Sequence, residues 1–196
     1  MPNPNHPKKG QSTRVEPIRR LEDVESIKKL LSDNPRDLLL FTMGVNNGFR
    51  VGDLLRLRVK QVRHLKPGDE ITVKESKTGK LNTLMINKTT HKALKKYVEE
   101  VQPEDDDYLF YSRRTKQALT IGTVNAMVKR WCRAINLQGN YGAHTLRKTF
   151  GYIQRTKYGV GFEVLADRFN HASPATTMAY LGITRKEVST VLMNEI

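Results

Sequence analysis

Asn170-His171-Ala172-Ser173-Pro174-Ala175-Thr176-Thr177-Met178-Ala179-Tyr180 is the stretch on which the reading of this chain turns. Ser173 before Pro174 reads as an N-cap with proline at the first helical position. A short helix is therefore expected to run to Tyr180 and to end at Gly182. Upstream, His144-Thr145-Leu146-Arg147 sets a histidine and an arginine three apart, on one face of a helix that follows the Gln138–Gly142 loop.

Working outward, most of the chain has helical spacing. Leu21, Val24, Ile27 and Leu31 make one stripe. Asn34-Pro35 reads as an N-cap and first-turn proline opening the next helix, whose Leu38, Leu39, Leu40, Phe41 and Met43 are apolar nearly all round, as a central core helix would be. Asn46-Asn47-Gly48 breaks it, and a short helix follows with Leu54, Leu55 and Leu57. Further helices are expected from Asn87 to Val101 and from Ile121 to Ile135. The last is expected from Thr184, with Val188, Val191 and Leu192 on one side. Only one region alternates as strands do. Ile71 and Val73, then Leu84 and Ile86, flank Thr78-Gly79 and predict a two-stranded hairpin with Lys77 near its turn. The expected fold is mainly α, an α+β domain with one small antiparallel hairpin.

Lys and Arg number 34 against 20 Asp and Glu in 196 residues, a net charge of +14. Such an excess favours a polyanionic partner, nucleic acid before any other. The length suits one domain, expected over 15–196, behind a basic disordered tail over 1–14. Cys132 is the only cysteine, so no disulfide forms within the chain, which suits a reducing compartment; beside Trp131 it reads as a core residue. No apolar run is long enough to span a bilayer, and the first residues lack the apolar core of a secretory signal.

A phosphodiester in transit spreads charge over its non-bridging oxygens, and an arginine fork can bind two of them at once. Arg50 emerges from a glycine turn behind a core helix, with Asp53 placed to buttress its guanidinium. His144 and Arg147 stand at a helix start, where the helix dipole favours an anion. Lys77, at a hairpin turn, could protonate a leaving alkoxide, though Lys74 and Lys80 are rivals. Tyr180 could be a protein nucleophile if a base or cations activate it. Taken singly, each has an ordinary structural account: a surface arginine, a capping histidine, a solvated lysine, or one packed tyrosine among seven. Ser76-Lys77-Thr78-Gly79-Lys80 lacks the spacing of a nucleotide loop and carries Leu81 where a hydroxyl would hold magnesium. His64, His91, His144 and His171 lack paired-ligand spacing, and no acidic cluster suggests two-metal chemistry. No cofactor or metal is expected.

Together, Arg50, Lys77, His144-x-x-Arg147, His171 and Tyr180 resemble the tyrosine recombinase (phage integrase) family in order and rough spacing. Gly48-Phe49-Arg50-Val51-Gly52-Asp53-Leu54 is similar to the family's first arginine box. His144 to Phe150 resembles the second, and Asn170-His171-Ala172-Ser173 the third, with Asn170 where the family usually has glycine. The resemblance implies that Tyr180 attacks a scissile phosphate and forms a 3′-phosphotyrosyl link. It implies that Arg50, Arg147 and His171 hold the phosphate oxygens, that His144 handles the tyrosine's proton, and that Lys77 protonates the leaving 5′-oxygen. Double-stranded DNA is the implied partner. The protein would be a monomer when free and would associate on paired sites as a tetrameric synapse, in a cytoplasmic, nucleoid-associated setting. The last helix would then dock on a neighbouring protomer or on its own core. The family's N-terminal core-binding domain has no counterpart here, as in a fragment of a longer integrase or in the short members such as the fimbrial phase-switch invertases. Two rivals share parts of the pattern, a type IB topoisomerase and a catalytically idle DNA-binding regulator. His144 argues against the first and the full set of six positions against the second. A basic RNA-binding protein lacks support, because no aromatic RNA-binding motif is present.

Overall fold

A computed structural model of the chain describes residues 14–183. Its elements run α1 (Leu21–Leu30), α2 (Pro35–Asn47), α3 (Val51–Leu54), α4 (Val59–Val62), β1 (Glu70–Lys74), β2 (Leu81–Met85), α5 (Lys88–Val101), α6 (Ile121–Ala134), α7 (Ala143–Tyr158), α8 (Phe162–Phe169) and α9 (Pro174–Leu181). The mainly helical fold with one antiparallel hairpin is as expected. The helix expected from Thr184 and nearly all of the expected tail lie outside the described residues.

The apolar girdle of α2 makes it the hub. Leu39, Leu40, Phe41 and Met43 are all fully buried, and α2 packs against both α5 and α7. Trp131 of α6 meets Phe41 edge-on at 5.9 Å. Cys132 is buried beside it, and burial pushes its thiol up to about 12, so it is an inert packing group. In the hairpin Ile71 pairs with Leu84 and Val73 with Asn82. A second, smaller core gathers Leu165, Phe169, Leu181 and Ile183, with Phe150, Met178 and Tyr180 against it. Helix α7 belongs to both cores: Leu146 is buried in the first, while Gly151 lets Phe169 and Leu181 of the second approach its backbone.

Three local details differ from expectation. Asn34 precedes α2, but its side chain makes no cap hydrogen bond and its Oδ1 is buried without a partner. The helix after Arg50 is a single turn, with Leu55 and Leu57 buried beyond its end. Helix α8 has no counterpart among the expected elements, although Phe162, Leu165, Ala166 and Phe169 have helical spacing. The acidic stretch after α5 is tied to α4 by the Lys60–Asp106 and Arg63–Asp105 pairs. Both are largely exposed, so water screens them and they add little stability.

Candidate active site

Four of the six residues singled out above, Arg50, Arg147, His171 and Tyr180, gather where the two cores meet. Helix α2 ends in Gly48, whose left-handed backbone (φ 64) turns the chain sharply into Phe49 and Arg50. A side chain at Gly48 would collide with Phe150. The carbonyl freed by this turn accepts a 2.6 Å hydrogen bond from Arg147 Nη1, while Arg147 Nη2 donates to the Phe169 carbonyl at 2.7 Å. Arg147 is thus fixed by the ends of α2 and α8, and its guanidinium lies over the Phe169 ring at 4.5 Å. It is 2% exposed. Burial pushes its pKa down to about 10, which leaves it fully cationic at neutral pH.

The carboxylate that holds the two arginines is one that sequence reading missed. Glu75 is buried just past β1. Its Oε2 accepts from Arg50 Nη1 at 2.6 Å and from Thr78 Oγ1 at 2.8 Å, and its Oε1 accepts from Asn82 Nδ2 at 3.0 Å. Arg147 Nη1 stands 3.9 Å from the same carboxylate. Burial acts to raise the Glu75 pKa, but the hydrogen bonds of Thr78, Arg50 and Asn82, with the Arg50 charge, outweigh it and hold the carboxyl below its ordinary value. Alternation along β1 was the signal for it. Ile71 and Val73 face inward, and Glu75 is the next position on that face. The expected buttress, Asp53, serves elsewhere: its Oδ1 accepts from Ser76 N, Ser76 Oγ and Arg56 Nη2. Asp53 therefore steadies the hairpin turn rather than the Arg50 guanidinium. Arg168 is a second group that the sequence did not announce. It clamps α8 to the Asn47 carbonyl (Nε 3.0 Å), to the Thr83 carbonyl (2.7 Å) and to Asn82 Oδ1.

Asn170 closes α8 in the left-handed conformation (φ 51), a backbone that asparagine tolerates as glycine does. This turn presents His171, whose Nδ1 lies 2.9 Å from the hydroxyl of fully buried Thr177. Ser173 Oγ accepts from Thr176 N and starts α9, as expected. Tyr180 then projects into the seam, its ring edge-on to His171 at 5.0 Å and to Phe169 at 5.7 Å. Its hydroxyl is buried with no hydrogen-bond partner. Burial raises its pKa, while the charges of Arg147 and Arg50 act in the opposite direction. Arg147 is near enough to act through its charge, but the geometry falls short of a hydrogen bond.

His144 lies on the first turn of α7 with an exposed edge. Partial burial, then the charges of Arg147, Arg50, Lys77 and Lys148, lower its pKa. Lys77 is exposed in the hairpin turn, and its charge reaches His144. The structure therefore brings Arg50, Arg147, His171 and Tyr180 into one cluster, with His144 and Lys77 on its open side. His171 is pushed down to about 4 by burial first and by Arg147 and Arg50 next. It is expected to stay neutral in NMR titration until pH falls near 4. Its linkage to folding follows the sign of that shift: the unfolded chain protonates near 6.5 and the folded one later. The stability owed to neutral His171 is thus full above 6.5 and lost as pH falls from there to about 4.

These features define a class, and comparison with known proteins gives the same one. The chain belongs to the phage integrase family, which its residues 9–187 match. That family is the class of tyrosine-type site-specific recombinases. The chain is 37% identical over 172 residues to the probable integrase/recombinase YoeC of Bacillus subtilis, covering 86% of this chain and 90% of that protein. It is 31% identical over 167 residues to the tyrosine recombinase XerC of Caldanaerobacter subterraneus subsp. tengcongensis, covering 80% of this chain and 45% of that one. Among solved structures, the XerH recombinase bound to palindromic difH substrate in a post-cleavage complex superposes with a TM-score of 0.72 at 25% identity, over 95% of this chain and 55% of that one. The XerA recombinase gives 0.74 at 22% identity, over 92% and 67%, a likeness of fold. The chain thus spans about half the length of the XerC and XerH proteins it matches.

Proposed function

We propose that this chain cuts and rejoins double-stranded DNA at specific sites through a covalent 3′-phosphotyrosyl intermediate on Tyr180. One observation carries the reading. The Tyr180 hydroxyl is buried without a hydrogen-bond partner beside two guanidiniums that share a single carboxylate. The site holds more positive than negative charge, and a phosphodiester supplies the missing anion.

In this reading Arg50, Arg147 and His171 grip the non-bridging oxygens. The neutral imidazole of His171 donates one hydrogen bond, from the ring nitrogen that Thr177 leaves free. Tyr180 gives its proton to His144 as its oxygen bonds to phosphorus. The bond from phosphorus to the 5′-oxygen breaks, and that oxygen takes a proton from Lys77. A 5′-hydroxyl of a partner duplex then attacks the phosphotyrosyl phosphorus and gives its proton to Lys77, the bond from phosphorus to the Tyr180 oxygen breaks, and Tyr180 regains its proton from His144. One phosphoester bond is exchanged for another at each step, so neither ATP nor a metal enters the balance. The protein is a monomer when free and forms a tetrameric synapse on two duplexes. It works on DNA in the cytoplasm; no helix among the described residues is long and apolar enough to cross a membrane.

The test is a nicked suicide duplex carrying the cognate site, whose cleaved end diffuses away. In the presence of a chelator and without ATP, the wild-type chain should leave a covalent protein–DNA band. Absence of any adduct on a site that the protein binds specifically would refute the proposal. Relaxation of supercoiled DNA without strand exchange would move the chain to the topoisomerase reading.

A further inference from the structure

Lys148 follows Arg147 on α7 and is 6% exposed. Its Nζ lies 4.9 Å from the centroid of the Tyr180 ring, over the ring face. A buried ammonium is costly unless something compensates its charge. Burial first, then the charges of Arg14 and Arg19, lower its pKa, while Glu16 acts to raise it; these three lie on the segment that runs along the start of α7, and on α7 itself its charge also reaches His144. Glu16 is the sole carboxylate among these, and its Oε1 already accepts from Asn140 N. The negative face of the Tyr180 ring is what this ammonium meets instead. Phe169 and His171 close other sides of the ring edge-on. The phenol is thus walled by two aromatic edges and one cation, while the charges of Arg147 and Arg50 act on its oxygen.

We propose that Lys148 is a positioning residue for Tyr180: its ammonium, seated on the ring face, holds the phenol in the seam and offsets the negative charge that develops on its oxygen as the proton leaves. This rests on the reading of Tyr180 as the nucleophile. Lys148 takes no proton in the step and keeps its own. It lowers the energy of the ionising phenol as Arg147 and Arg50 do from the other side. An apolar side chain of the same size would fill the same space yet lack this effect, which separates positioning by charge from packing.

The test uses the full chain with a polyfluorinated tyrosine installed at position 180, whose ring fluorines bring the phenol's ionisation below that of Lys148 so that the ammonium stays charged through the titration, read by fluorine NMR without DNA. The phenol's ionisation midpoint should rise by about one pH unit in Lys148→Met, the scale of removing a neighbouring opposite charge. Lys148→Arg should leave it near the parent value. On a suicide duplex, Lys148→Met should form adduct about tenfold more slowly at neutral pH, with the pH–rate profile displaced upward. An unchanged midpoint in Lys148→Met would overturn the proposal. Should that variant be unfolded by circular dichroism, Lys148→Gln is read in the same way with the same two outcomes. Failure of the nucleophile reading is distinct: it would appear as adduct formed by Tyr180→Phe, whatever the fluorine midpoint does.

Discussion

Arg147→Lys is expected to bind DNA nearly as well as the parent and to cleave it at least about a hundredfold more slowly, the size of effect seen when one oxyanion donor is lost. Lysine keeps the charge but has no planar fork. Arg147 spends two of its terminal N–H groups on the Gly48 and Phe169 carbonyls and still faces the Tyr180 hydroxyl. A single ammonium at the end of a flexible stem cannot hold both carbonyls and a phosphate oxygen together. Binding is spared because many other Lys and Arg of this chain can contact phosphates. Single-turnover cleavage beside a binding isotherm checks both halves. Near-normal cleavage would remove Arg147 from the phosphate grip.

Glu75→Ala should give the largest loss of stability at the site, about 3–5 kcal/mol, because removing one partner of a buried pair leaves charge uncompensated. The Glu75 side chain is fully buried, and without it the Arg50 and Arg147 guanidiniums repel across an empty site. Urea unfolding measures the loss. Glu75→Gln refines it through pH. The folded-state carboxyl sits below its ordinary value of 4.5, so its contribution is complete above 4.5 and is lost as pH falls through the lower folded value. The stability gap between parent and Glu75→Gln should therefore be widest at neutral pH and shrink in acid. A gap that stays constant into acid would mean that the carboxylate's charge does not hold the arginines.

Local chemistry made much of this molecule readable in the sequence. Pro174 after Ser173, the glycine at 48 and the apolar girdle of α2 act over a few residues, and each stands where its local preference puts it. The candidate cluster was readable only in combination: taken singly each member has an ordinary structural account, and it was their order and spacing together that resembled a known family. Glu75 was not, because its role depends on Arg50, Thr78 and Asn82 converging on it across the fold. The same long-range logic gave Asp53 to the Ser76 turn instead of to Arg50. Lys148 reads as one more cation beside Arg147 until α9 folds back and sets Tyr180 against it. Helix α8 is a different case: its apolar spacing was present, but it starts after Gly161 with no side-chain cap, whereas α9, of the same eight residues, is announced by Ser173 and Pro174.

Mass spectrometry of the trapped adduct tests the central claim most directly. Tryptic cleavage after Arg168 and Arg185 isolates a peptide, Phe169–Arg185, that contains Tyr180 and no other tyrosine. After nuclease trimming, a nucleotide phosphate is expected on this peptide, on the Tyr180 oxygen, and no adduct at all in Tyr180→Phe. A phosphate found on any other peptide, or an adduct that survives in Tyr180→Phe, would contradict it.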